Sequence, residues 1–117
     1  MQRRWRAYRT PSGRNPVGEF IRDLPDEDAE EVLAAMKDVR LNGPSAGRHL
    51  RGSIWEVRAD APGGAFRILF SQEGKRSQVL LALVPLAKKT QKTPDEAIRL
   101  AERRLSDWHT RGRHHGP

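Results

Sequence analysis

The 117-residue chain carries a net charge of +7 and no cysteine, which sets the size of a single domain and excludes a disulfide framework, a thiolate nucleophile and any cysteine-based metal site. No apolar run approaches the length of a membrane span, and Met1 to Arg14 lacks the apolar middle of a signal peptide, so a cytoplasmic protein is expected. The charge is uneven: residues 1–14 hold five arginines and no acid, residues 15–41 three basic and eight acidic side chains, and residues 42–94 nine basic against three acidic. A basic strand region beside an acidic helix points to a polyanion site on one side and a different surface elsewhere.

In chain order, Trp5 and Tyr8 among Arg3, Arg4, Arg6 and Arg9 predict a short edge strand with basic outward positions. Pro11 to Arg14 reads as a turn, after which Asn15 caps a helix that has Pro16 at its first position and Val17, Phe20, Ile21 and Leu24 on one face. Pro25 ends it. A second helix is expected from Asp26 to Leu41, burying Ala29, Val32, Leu33, Met36 and Val39, with its acidic first half suited to the positive end of the helix dipole. Asn42, Gly43 and Pro44 stop it.

From Ser45 the period changes to that of strands. Ile54–Asp60 alternates Trp55, Val57 and Ala59 against Glu56, Arg58 and Asp60, which predicts one core face and one exposed face with Arg58 outward. Ala61 to Gly64 turns the chain back, and residues 65–71 place Arg67 on the same side of the sheet as Arg58. Val79 to Leu86 is apolar on both alternating faces, the mark of a central strand. It runs into Lys88, Lys89, Thr90, Gln91 and Lys92, then into a helix start with Thr93 as N-cap, Pro94 behind it and Glu96 three residues after the cap. That last helix is expected to end near Trp108, with 109–117 a frayed tail beyond a single domain of residues 1–108. The fold class is α+β, an antiparallel-rich sheet with the two N-terminal helices on one face and a C-terminal helix.

Serines lack a G-x-S-x-G setting, His49 stands alone, and His109, His114 and His115 fall in the expected tail, so neither a triad nor a metal site is predicted. No glycine-rich strand-to-helix loop is present to cradle a nucleotide. What remains is Arg48, Arg51, Arg58, Arg67, Lys88, Lys89 and Lys92, gathered by the strands and their exit loop. Such a set binds a phosphodiester and stabilises the charge that grows on it during cleavage. RNA brings its own nucleophile, so a protein needs only to align the 2′-hydroxyl, take its proton, neutralise the phosphate and protonate the leaving oxygen. Arginine, always protonated, suits the clamp, and a lysine crowded by cations suits proton transfer.

The stretches GRNPVGEFIRDLP (Gly13–Pro25), HLRGSIWEVRAD (His49–Asp60), FRILF (Phe66–Phe70) and AKKTQKTPDEAIRLAERRLSDW (Ala87–Trp108) resemble the HigB-like branch of the RelE/ParE toxin superfamily, often described as phage-derived proteins, over residues 4–108. The last block is the most specific. The resemblance implies a RelE-like fold and a toxin of a type II toxin–antitoxin pair that enters the ribosomal A site and cuts translated mRNA, with a HigA-like helix-turn-helix antitoxin, no metal and no cofactor. It would give Arg67 the scissile phosphate, Arg58, Lys88 and Lys89 neutralisation and proton transfer, and Arg48, His49, Arg51, Gln91 and Lys92 contacts to mRNA and rRNA. A 2′,3′-cyclic phosphate would result. The chain departs from these relatives in having Tyr8 as its only tyrosine and Pro85 and Leu86 before the lysine loop, which leaves the general base unassigned. A non-catalytic RNA-binding protein and a ParE-like toxin directed at a protein are the alternatives.

Overall fold

A computed structural model describes residues 2–88 and 92–115. The elements run β1 (Arg4–Ala7), α1 (Pro16–Arg22), α2 (Asp26–Asn42), a 3₁₀ turn (Pro44–Ala46), β2 (Arg48–Arg51), β3 (Ile54–Ala61), β4 (Gly64–Glu73), β5 (Val79–Lys88) and α3 (Asp95–His115). The sheet has the order β1-β5-β4-β3-β2, with β1 parallel to β5 and the remaining pairs antiparallel.

Local signals set the helix boundaries. Asn15 Oδ1 accepts the Gly18 N–H at 2.9 Å, and Pro16 opens α1. Gly43, at φ 94°, ends α2 in a conformation that favours glycine. Asp28, buried in the first turn of α2, accepts the Gly63 N–H at 2.9 Å and so ties the helix to the β3–β4 turn.

Both faces of the sheet are apolar, and both are covered. Val17, Val32, Met36 and Val39 of α1 and α2 pack on Val57, Ile68, Phe70 and Leu80. On the other face Ala101 and Leu105 of α3 pack on Ile54, Leu69, Leu81 and Leu83. The helices therefore divide between the faces, α1 and α2 on one and α3 on the other, which the two-sided apolar pattern of β5 requires.

Four expectations are corrected. A fifth strand, β2, joins one sheet edge antiparallel to β3, and at the other edge β1 runs parallel to β5, which makes the sheet mixed. α3 continues through His115 where a frayed tail from residue 109 was expected, helped by an i,i+4 ion pair between Asp107 and Arg111 at 2.7 Å and by His109 against Glu73 at 2.6 Å. Leu33 is 52% exposed on α2 rather than buried. Finally, the polar face of β3 is not open to water along its length: α3 and the residues leading into it cover Glu56, which is 4% exposed.

Candidate phosphodiester site

Register alone assembles a charged cluster. Arg48 lies opposite Glu56 across β2–β3, and Arg58 lies opposite Arg67 across β3–β4. All four side chains stand on the α3 side of the sheet, because they share a face with Ile54 and Leu69. A cleft of about 190 Å³ opens between them, lined also by Ala46 and Gly47. A Cβ on Gly47 would lie 2.4 Å from the Glu56 carbonyl oxygen, so only glycine lets the 3₁₀ turn approach β3 closely enough to wall the cleft.

Arg67 is 1% exposed. Its Nε lies 3.6 Å from Glu56 Oε1, and its Nη1 donates to Thr93 Oγ1 at 3.3 Å. Thr93, expected as an N-cap, donates its own hydroxyl to Glu56 Oε1. Three polar side chains from β3, β4 and the approach to α3 thus form one buried network. Burying a guanidinium is tolerable only with such a partner.

Arg58 is half-exposed, and both its Nε and Nη2 lie 3.1 Å from Asp60 Oδ1. Two guanidinium groups facing each other across a ladder repel, and one carboxylate inside and one outside offset that repulsion. The resulting surface presents Arg48 and Arg58 to water over a buried Arg67, with Glu56 the one carboxylate among the described lining residues. Chemically it can hold a dianionic or monoanionic phosphate against guanidinium donors and offer one proton acceptor.

The remaining predicted residues are placed differently. His49 pairs with Trp55, on the opposite face of the sheet from Arg67, where its ring packs tilted at 56° against that indole with centroids 5.0 Å apart and its Nε2 is 2.8 Å from the Gly52 carbonyl oxygen. Arg51 is committed to α3, 2.5 Å from Asp95 Oδ1 and 2.9 Å from Glu102 Oε1. Those hydrogen bonds, to Glu102 first and Asp95 second, raise its pKa, and the Arg51 guanidinium holds the Asp95 carboxyl below its usual value. Lys92 is exposed. Lys88 occupies the β5 position opposite Ala65, two residues beyond Leu86, which faces Arg67. Its side chain, with Lys89 and Gln91, lies outside the described residues.

Glu56 and Thr93 are the site residues that sequence reasoning missed. Glu56 is readable in retrospect as the acid opposite Arg48 and diagonal to Arg67; Thr93 carries no signal beyond its capping context. A larger groove, about 570 Å³, runs between Val84, Leu86 and Leu100 with Arg99 and Arg103 at its rim. Among the described residues it holds no buried carboxylate–guanidinium pair of the kind that Glu56 and Arg67 form in the smaller cleft.

Residues 19–106 match the family described as phage derived protein Gp49-like. Two relatives, each named probable endoribonuclease HigB1 and each from a strain of Mycobacterium tuberculosis, are 31% identical over 108 residues, covering 89% of this chain and 83% of theirs. With most of its length inside both matches, the chain belongs to the Gp49-like family of phage-derived proteins, the HigB-like branch of the RelE/ParE toxin superfamily.

Proposed function

We propose that this protein is the toxin of a type II toxin–antitoxin pair and an endoribonuclease that cuts mRNA in the ribosomal A site, halting translation in the cytoplasm. Its HigB1 relatives are named probable endoribonucleases, and the observation that carries the reading is the facing pair Arg58 and Arg67 on a cleft with Glu56. A helix-turn-helix antitoxin of the HigA kind would hold the toxin in check.

In this reading the scissile phosphate enters beside Arg58, with Arg48 gripping a neighbouring phosphate. Arg67 neutralises the phosphorane as charge accumulates, its position fixed by Thr93 and Glu56. The 2′-oxygen attacks phosphorus and its proton passes to the Glu56 carboxylate. The P–O5′ bond breaks, and Lys88 or Lys89 protonates the departing oxygen. The products are a 2′,3′-cyclic phosphate and a free 5′-hydroxyl, which balances atoms and protons without a cofactor. Gln91 and Lys92 add contacts to mRNA or rRNA. The ribosome supplies the alignment of the 2′-oxygen that so shallow a cleft does not impose by itself.

A second reading has a specific observation behind it. Arg67 is enclosed by Glu56 and Thr93, as a structural arginine would be, which favours a non-catalytic RNA-binding protein that uses Arg48 and Arg58 alone. Purified ribosomes programmed with mRNA separate the two: a cut with cyclic-phosphate ends, lost in Arg58→Ala, supports the nuclease, and intact mRNA despite salt-sensitive ribosome binding supports the binder.

A further inference from the structure

The arginines of β1 are not used by the cleft. β1 and β3 are three strands apart, on the order of 14 Å, and α3 packs over the sheet between them. Arg4, Arg6 and Arg9 are exposed. Elsewhere Arg14, Arg51, Arg58, Arg99 and Arg111 each stand against a carboxylate. Among the described residues, no carboxylate lies within ion-pair distance of Arg4, Arg6 or Arg9.

Two of these cations, Arg6 and Arg9, have a defined contact. The Arg6 guanidinium lies over the Trp108 ring of α3 at 5.0 Å. Arg9, just beyond β1, donates its Nη1 to the Gly13 carbonyl oxygen at 3.3 Å, while its own carbonyl accepts from Arg111 Nη2, and Arg111 lies 5.2 Å over the Tyr8 ring. Asp107 of α3 is already occupied by Tyr8 Oη and Arg111 at 2.7 Å each, and Glu73, in register with Arg4 across β5, by His109 at 2.6 Å. Charge on an edge strand protects against edge-to-edge pairing, and any cation does that. A guanidinium resting over an indole does more, because it is positioned before a phosphate arrives and less side-chain freedom is lost on binding.

We propose that β1 and the facing side of α3 form a second site for RNA backbone, an exosite that holds the strand at a distance from the cleft. The inference rests on the RNA-directed reading above and gives it a second footprint. RNA is favoured over a protein partner because the exposed side chains here are guanidinium groups: among the described residues the exposed large apolar side chains are Leu33 and Leu41, both on α2 across the sheet. Each phosphate that meets one of these arginines releases condensed counterions, so affinity here must fall steeply with salt.

The test is anisotropy of a labelled single-stranded RNA of about 20 nucleotides, titrated with full-length protein across a salt series. The variant Arg4→Ala/Arg6→Ala/Arg9→Ala should bind about tenfold more weakly, with a log–log salt slope smaller by about two, from a loss of about 0.7 per contact. The corresponding triple lysine variant should keep the slope. Arg4→Glu, at an exposed position, repeats the test with one substitution should the triple variant fail to fold. Unchanged affinity and slope in a folded variant overturn the proposal, as does weakened antitoxin binding with RNA affinity intact. Cutting on programmed ribosomes is scored separately: an inactive wild type that still shows the slope change sinks the nuclease reading and leaves this site standing.

Discussion

Thr93, two residues before α3 begins, hands its hydroxyl hydrogen to the Glu56 carboxylate on β3, 37 positions earlier in the chain. The same oxygen receives Arg67. The clamp expected to hold phosphate is therefore also the pin that seats α3 on the sheet, and its stability effects must be separated from its chemical ones.

Arg67→Ala is expected to cost about 3–5 kcal/mol, because Glu56 would be left as an uncompensated buried charge. Loss of toxicity in that variant would mix unfolding with chemistry. The double variant Arg67→Met/Glu56→Leu, which removes both charges, should regain much of that stability while remaining inactive on RNA. Urea denaturation of the single and double variants measures the coupling; purely additive losses would show that the two groups do not act as a pair.

Arg58 offers the cleaner chemical test. It is half-exposed, and its ion pair with Asp60 contributes at most about 1 kcal/mol. Arg58→Ala should leave the melting temperature nearly unchanged and lower cleavage on programmed ribosomes by a factor on the order of ten to a hundred, the loss of one charge-assisted contact of about 1.5–3 kcal/mol. Wild-type cleavage rates in this variant would remove Arg58 from the site.

Glu56→Gln keeps the shape and an acceptor for Thr93 but not the basicity. With Glu56 as base, single-turnover cleavage should fall by about 10² or more, with the residual rate no longer dependent on carboxylate ionisation. A Gln variant as fast as wild type assigns the proton elsewhere.

How far the sequence could be read follows from where each signal was local. Asn15 with Pro16, and the doubly apolar run of β5, carry their structural meaning within a few residues, and both were legible. β2 was not: Arg48, His49, Leu50 and Arg51 show no alternation, and the strand exists because Arg48 and His49 pair with Glu56 and Trp55. The burial of Arg67 and Glu56 was hidden for the same kind of reason. On an alternating strand a charged residue reads as solvent-facing, and only the docking of α3, with Thr93 in front of it, turns that face inward. The placement of Arg58 and Arg67 on one side was available from strand period alone; their enclosure was not.

Asp95 links α3 to β2 through Arg51, and its carboxyl titrates below the ordinary 3.8 chiefly because of the hydrogen bond from that guanidinium. A depressed folded-state pKa gives stability that is present above the unfolded value and lost as pH falls through the folded one. Acid unfolding below about pH 4 should therefore be partly carried by this bridge. The melting temperature of Asp95→Asn should match wild type at the lowest pH and fall below it as pH rises past 4; parallel curves throughout would show that the bridge contributes nothing.

Tyr8 gives an alkaline counterpart that can be read optically, since it is the only tyrosine in the chain. Its phenol is pushed above the usual 10.0 by burial first and then by the hydrogen bond to Asp107, against the opposing pull of Arg111 and Arg104. Deprotonation would place a phenolate beside the Asp107 carboxylate at 2.7 Å, so folding opposes it. A group whose folded pKa is raised contributes stability that is whole below its unfolded pKa and drains away as pH climbs toward the folded value, here from about pH 10 upward. Phenolate absorbance should rise with a midpoint above 10.0 in the native protein, and loss of helix signal should accompany it because Tyr8 anchors the far end of α3 to the strand beside β5. In Asp107→Asn, which keeps a hydrogen-bond partner but removes the charge, that midpoint should move down. A midpoint at the ordinary value in wild type, or one that does not move in Asp107→Asn, would mean that the Tyr8 hydroxyl does not hold α3 in solution.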